Sequence, residues 1–503
     1  MSNLYSNFQK HFPVDLNKEF LITLEGRKVS YTEVKETTAR MANCLLELGA
    51  SPGDRITVQV EKSVESLLLY LACLRAGLVY HPLNTAYKSS ELAFFLENAE
   101  PTIVVCSRDV ITTMESILIS TDIKALLTLE ADGSGTLMQH AAKLSNESEV
   151  LKCTGFETAA LLYSSGTTGQ PKGIVLSHNN LLKNGETLVK SWGFTSSDRL
   201  LHMLPIYHVH GLFVALHTVL LSGASMVWCK NFNDKEAMEK LPDCTVMMGV
   251  PTYYTRLLAN PEFGSQYCSN MRLFISGSAP LLRETFNQFQ EKTGHIILER
   301  YGMTETGMNT SNPLDGERRS GTVGPALPDV IARVVDNSGK EIKDGETGNL
   351  QVKGPNVFPG YWRMPDKTAE DFTSDGFFNT GDKATIDSDG YVSIVGREKD
   401  MIITGGLNVY PKEIELIIDD LEGVLESAII GVVDSDFGEA VVAVIVSEQN
   451  APTQEEVVSL CRNQLANYKV PKQVHFVKTL PRNAMGKIQK NLLRKRFKTD
   501  SKT

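Results

Sequence analysis

Apolar residues in this chain fall into two kinds of run. PTIVVC (101–106), TVMMGVPT (245–252) and RLFISGSAP (272–280) are short, apolar stretches with the character of buried strands, and a helical pattern follows each. ESLLLYLACLRAGLVYHPLN (65–84) reads as a helix that leads through Gly77 into a strand. Strand and helix alternate through the first two-thirds of the chain. That alternation implies mainly parallel sheets covered by helices.

The pattern changes after about residue 320. ARVVD, GNLQVKG and YVSIVG are short strands between Gly- and Asp-rich turns such as Asp389-Gly390, and they predict a small antiparallel or barrel-like subdomain. The charged stretch GREKDMI (396–402) lies between two apolar strand patterns and predicts a boundary between domains at 1–398 and 399–503. Beyond it, Ile414, Ile417, Ile418 and Leu421 follow helical spacing, with Gly423 where a C-terminal cap belongs. Two strands, SAIIGVV and AVVAVIVS, and a basic helix, QKNLLRKRFK, complete a small α+β domain. The expected fold class is therefore α/β, with two helix-covered mainly parallel sheets, a barrel-like subdomain and a small α+β C-terminal domain.

The length of 503 residues exceeds what one core supports and agrees with more than one domain. A net charge of −10 argues against nucleic acid as the main partner, because phosphate-backbone binding needs clustered Lys and Arg. An acidic chain that handles anions must build local positive sites against its own field, which draws attention to individual Lys and Arg residues. The eight cysteines form no CxxC pair and mostly sit in apolar stretches, which suits reduced packing residues. The first twenty residues lack the apolar core of a secretory signal, and no apolar run reaches the ~18–20 residues of a membrane span. A cytoplasmic protein with no membrane partner is expected.

LLYSSGTTGQPKGIVLSH (161–178) carries the chemistry. An apolar strand enters a loop of glycines, serines and threonines with one lysine, then leaves into apolar sequence. Glycines let the backbone wrap phosphate oxygens, hydroxyls add donors and Lys172 adds charge. The loop is no Walker A motif, since Lys172 is followed by Gly173 and not by Ser or Thr.

YSSGTTGQPKG resembles the phosphate loop of the adenylate-forming superfamily, which holds acyl-CoA synthetases, luciferases and peptide-synthetase adenylation domains. YGMTE (301–305), TGD (380–382), GREKD (396–400) and PRNAMGK (481–487) follow in that superfamily's order and spacing, so the resemblance spans nearly the whole chain. It implies ATP, Mg²⁺ and coenzyme A as cosubstrates. It places Ser164, Ser165, Gly166, Thr167, Thr168, Gly169 and Lys172 around the phosphates, and Thr168 and Glu305 near the nucleotide-bound Mg²⁺. Ser278, Ala279 and Pro280, with Glu299, Arg300, Tyr301, Gly302, Met303 and Thr304, become walls for the adenine and the acyl phosphate. Asp382 and Arg397 would grip the ribose. Lys487 resembles the lysine that bridges carboxylate and α-phosphate, Lys399 falls at the hinge before a mobile C-terminal domain, and Gly405, Gly406 and Leu407 would line the CoA channel.

Within the superfamily, PIYHVHGLF, GVPTYYTRLL, FISGSAPL, ERYGMTETGMNTSNP and GPNVFPGYWRMP are similar to malonyl-CoA synthetases. That likeness implies malonate as substrate, with methylmalonate as a second candidate. His208 matches the gate between acyl pocket and CoA channel, with Ser278 and Met303 beside the acyl group. Arg256, one residue beyond PTYYT's tyrosine pair and threonine, is expected to offer a buried guanidinium to the second carboxylate.

Other readings fare less well. A serine hydrolase built on Ser278 fails because Ser276 occupies the first glycine of G-x-S-x-G. A synthetase for another short or aryl carboxylate, a carrier-protein ligase and a non-catalytic nucleotide binder remain the alternatives. Sixteen residues after Lys487 leave no room for a carrier domain, so a free thiol acceptor is expected. A monomer or weak homo-oligomer is expected.

Overall fold

A computed structural model describes residues 3–119, 121–163, 171–342, 345–397, 400–404, 407–434, 437–448, 450–465, 467–483 and 486–497. Two α/β sheets dominate it. In the first, the strands run Gly307–Ser311, Leu298–Met303, Leu273–Ser276, Val246–Gly249, Arg199–His202, Ser225–Trp228, Glu19–Thr23 and Lys28–Ser30 across the sheet. All neighbours are parallel except at the two edges. Strand order reverses at Arg199–His202, because the next strand in sequence lies on one side and Val246–Gly249 on the other. Such a reversal opens a crevice at the strands' carboxyl ends, where α/β folds bind ligands.

The second sheet repeats the plan. Its order is Gly360–Tyr361, Gly173–Ser177, Thr158–Tyr163, Val79–Pro82, Arg55–Gln59, Ile103–Cys106 and Ala125–Thr128. Thr158–Tyr163 delivers the chain to the phosphate loop expected from the sequence.

The helix Val64–Ala76 is buried at every position, which explains why its sequence is apolar on all faces. Ser63 and Ser66 form a reciprocal capping box at its start, and Gly77, at φ +69°, ends it before Val79–Pro82. Its two charged residues both find partners, Glu65 a counter-charge and Arg75 backbone carbonyls. Glu65 meets Arg27 at 2.6 Å, and Arg75 donates to the Lys35 carbonyl at 2.8 Å. Cys73 belongs to this packed helix, and all eight cysteines are free thiols.

The expected barrel-like subdomain is a four-stranded antiparallel sheet, Ile331–Val335, Gly348–Lys353, Phe378–Ile386 and Val392–Arg397. The expected domain boundary falls on 398 and 399, outside the described residues. A separate sheet follows, in which Val424–Asp434 and Gly438–Ser447 pair antiparallel, with its own buried clusters around Ile414, Ile429 and Val442. One detail departs from expectation. The helix Pro411–Asp419 stops before Gly423, which instead turns the chain into the next strand at φ +84° beside the Asn450 carbonyl. No helix among the described residues is long and apolar enough to cross a membrane.

Candidate active site

The first sheet's crevice is built from loops leaving its central strands. Leu273–Ser276 exits into Gly277 and Ser278, and Ser278 is held at φ +74°, a strained value for a side-chain-bearing residue. Its hydroxyl meets His210 Nδ1 at 3.2 Å. Next to it, Leu298–Met303 carries Arg300, whose side chain is only 3% exposed. Among the described residues, Arg300 Nε and Nη2 have no hydrogen-bond partner. Burial pushes its guanidinium down to about 9, and neighbouring Tyr254 and Glu299 only partly offset this. Gly277 makes the close approach feasible, since a Cβ there would sit 2.4 Å from Arg300 Cζ.

The two histidines face this cation. His210 is fully buried with Nε2 unpartnered, and His208 is half-buried, its Nδ1 accepting from the His210 amide at 3.4 Å. Burial and the nearby Arg300 charge push His208 down to about 4 and His210 well below its ordinary range. Both rings are therefore neutral at physiological pH. Arg300 is thus buried beside two neutral rings, with the charge of Glu299 only partly offsetting its burial.

Arg256 does not belong to this cluster. It is exposed on the helix Pro251–Ala259, whose buried residues are Pro251, Tyr254 and Leu257. The physical premise for Arg256, a buried and unpaired guanidinium, is met by Arg300 instead. Arg300 had been read as part of a nucleotide wall. Its signal in the sequence is a charged pair, Glu299 and Arg300, inside a strand otherwise bound for the interior.

The nucleotide face gathers several of the expected residues. Strand register sets Asp382 opposite Arg397, and Asp382 Oδ1 lies 3.2 Å from Arg397 Nε. The Tyr301 hydroxyl donates to Asp382 Oδ2. Asp382 is 4% exposed, so the carboxylate is oriented by an anionic acceptor's two natural partners before any ligand arrives. Glu299 is buried, accepts from the Leu281 amide at 2.9 Å and is pushed up to about 7 by burial. Gly302, Met303, Thr304 and Ala279 are half-buried along the same rim, and Pro280 is exposed.

Glu305 is buried, and burial raises its carboxyl above the usual range despite Arg397 and Lys172 nearby. Among the described residues no basic group lies within 4.0 Å of it. A buried carboxylate without a close counter-charge fits a hard, oxygen-seeking cation. Lys172 rests 3.6 Å from Asp371 and over the Tyr361 ring at 4.5 Å. Ser164, Ser165, Gly166, Thr167, Thr168 and Gly169 lie outside the described residues, as do Lys399, Gly405 and Gly406. Leu407 is exposed on the strand Leu407–Val409.

Lys487 ends a tight turn on the C-terminal domain. Its amide donates to Asn483 Oδ1 at 3.0 Å, and the Asn483 amide donates to its carbonyl at 2.9 Å. Gly486 packs so near the start of Pro251–Ala259 that a Cβ would lie 3.4 Å from Thr252 Oγ1. The Lys487 charge acts on His208. Lys490 clamps the turn's far side to buried Glu415, and Arg482 clamps its near side to Glu426.

Family models, curated relatives and solved structures place the chain among known proteins. The family described as AMP-binding enzyme matches residues 8–362, and the AMP-binding enzyme C-terminal domain matches 413–487. A malonate–CoA ligase of Arabidopsis thaliana is 33% identical, with 94% of this chain and 85% of that protein covered. A probable CoA ligase of Humulus lupulus is 34% identical over 93% of this chain and 84% of that protein. The ATP-bound crystal structure of MatB from Rhodopseudomonas palustris is 50% identical, with a TM-score of 0.97 and 99% of each chain covered. The apo structure of the same MatB gives 0.87 at the same coverage, so the present arrangement is nearer the ATP-bound one. With both domains matched in order and the site residues gathered at the expected crevice, the chain belongs to the AMP-binding enzyme family.

Proposed function

We propose that this chain is an AMP-forming malonate–CoA ligase, which converts ATP, malonate and CoA to AMP, diphosphate and malonyl-CoA through malonyl-adenylate. The observation that carries the reading is the buried, unpaired guanidinium of Arg300 among neutral His208, His210 and Ser278. An isolated buried charge is costly, so the pocket favours a substrate that supplies the counter-charge. A dicarboxylate does so with the carboxylate that does not react. The similarity to a malonate–CoA ligase supports the same assignment.

In the first half-reaction one malonate oxygen attacks the α-phosphorus of ATP and diphosphate leaves. Both reactants are anions, so positioning and charge neutralisation dominate. Arg300 would hold the distal carboxylate, while Lys487 would neutralise the attacking carboxylate and the α-phosphate together. Asp382, already oriented by Tyr301 and Arg397, would accept from the ribose hydroxyls. A magnesium ion would be held by Glu305 and Thr168 with the nucleotide phosphates, and would supply further charge neutralisation. In the second half-reaction the CoA sulfur attacks the acyl carbon, losing its proton, and AMP leaves. His208, neutral and half-buried, would gate the passage from the acyl group to the CoA thiol. Methylmalonate is proposed as a second substrate, since one methyl group changes discrimination by only about 1–3 kcal/mol.

The test is AMP release with ATP, Mg²⁺ and a panel of malonate, methylmalonate, succinate, acetate, propionate and coumarate, with and without CoA. CoA-dependent release dominated by malonate is the expected result. Preference for a monocarboxylate removes the malonate assignment, and release that ignores CoA removes the ligase. Two variants sharpen it. Arg256→Ala is expected to stay within about twofold of wild type, as exposed substitutions usually do. Gly277→Ala is expected to raise the malonate KM by roughly tenfold, because its Cβ must displace the guanidinium. An ATP KM that rises equally in Gly277→Ala would contradict that account.

A further inference from the structure

One buried lysine, whose ammonium is pushed down to about 7 by burial, plays no part in the chemistry above. Lys62 lies just past the carboxyl end of Arg55–Gln59 in the second sheet, and it is 9% exposed. Its ammonium reaches across to the first sheet. It donates to His202 Nδ1 at 2.9 Å, to the His202 carbonyl at 3.0 Å and to the Leu204 carbonyl at 2.9 Å. Those acceptors take all three N–H groups. The ammonium also lies 4.1 Å from the centre of the Trp228 ring, and no carboxylate is within salt-bridge distance among the described residues.

His202 passes the contact on. Since Nδ1 accepts from Lys62, the ring proton sits on Nε2, which donates to the Gly211 carbonyl at 2.9 Å. Leu204 and Gly211 bracket the segment 205–210, which carries His208 and His210. The ends of this segment also touch, because a Cβ on Gly211 would lie 2.1 Å from the Pro205 carbonyl oxygen. Lys62 therefore ties down the entry of the segment and His202 its exit. An apolar pair would meet the demands of packing at this depth without burying a charge. Hydrogen bonds to chosen carbonyls add a direction that apolar packing lacks.

We infer that Lys62 and His202 are positioning residues for substrate selection, holding the 205–210 segment so that His208 and His210 stand against the carboxylate bound by Arg300. This rests on the proposed malonate reading. A monocarboxylate has no second carboxylate to be placed, so its activation should tolerate a loosened segment.

The experiment compares malonate and propionate, with CoA and ATP saturating, in wild type, Lys62→Met and His202→Phe. Both variants are expected to lose about thirtyfold to a hundredfold in kcat/KM for malonate, carried mainly by KM, as a displacement near 1 Å would produce. Propionate kcat/KM and the ATP KM should stay within about threefold. Equal losses for both acids, or an unchanged malonate KM, overturn the inference. His202→Phe decides it should Lys62→Met fail to fold, because it keeps a ring of similar size and removes the exit bond and one of the three Lys62 acceptors, leaving the two carbonyls that Lys62 holds. A wild type that does not prefer malonate overturns the functional reading itself, an outcome visible before either variant is made.

Discussion

Arg300→Met is expected to lower kcat/KM for malonate by roughly a thousandfold, or about 4 kcal/mol, while the ligand-free protein becomes more stable. The two effects share one cause. In the free protein the guanidinium is buried with Nε and Nη2 unpartnered, so an apolar side chain of similar length relieves a desolvation penalty. Replacements of that kind stabilise by about 1–4 kcal/mol. In the complex the same guanidinium is the proposed partner of the distal carboxylate, and its removal leaves that anion unpaired. Propionate, whose methyl group needs no cation, should be activated as well as by wild type or better. Thermal denaturation without ligands and AMP release with each acid measure both halves. A variant that melts lower, or that retains malonate activity within tenfold, would show Arg300 to be structural. The combination of gained stability and lost activity marks a residue kept for function.

Lys487→Ala is expected to separate the two half-reactions. Malonate-dependent exchange of labelled diphosphate into ATP should fall by about a thousandfold, the scale on which single charge-stabilising groups act. Thioester formation from chemically made malonyl-adenylate and CoA should fall less than tenfold. The argument starts from geometry. The turn that carries Lys487 packs through Gly486 against Thr252 at the mouth of the crevice, and the lysine's charge reaches His208. Its amide and carbonyl are both tied to Asn483, which anchors the Lys487 backbone while leaving a long stem to reach the crevice. Equal loss in both assays would mean that the turn serves domain docking and not adenylation.

Parts of this protein were legible without coordinates. The all-round apolar stretch after Ser63 forms a buried helix, and the order of the five motifs indicated the family. The alternation of strand and helix implied parallel sheets, because a chain that must cross from one end of a strand to the start of the next needs a helix to do so. Even the error at Arg256 was correctable from periodicity. Tyr254 and Leu257 are three residues apart and share the buried face, which puts Arg256 toward solvent on an α-helix.

What the sequence by itself determined was therefore local: element type, motif identity and the class of reaction. These follow from the conformational preferences of neighbouring residues and from loops whose chemistry is contiguous in the chain. Only the tertiary structure decided which charges stand unpaired. Arg300 is buried beside the neutral histidines because Gly277, twenty-three positions earlier, leaves room for its guanidinium, and Tyr254 and Glu299 only partly offset that burial. Lys62 is satisfied because the loop after Arg55–Gln59 in the second sheet meets carbonyls 140 and 142 residues away. Pairing across such separations depends on how two sheets are set against each other, which no local preference encodes.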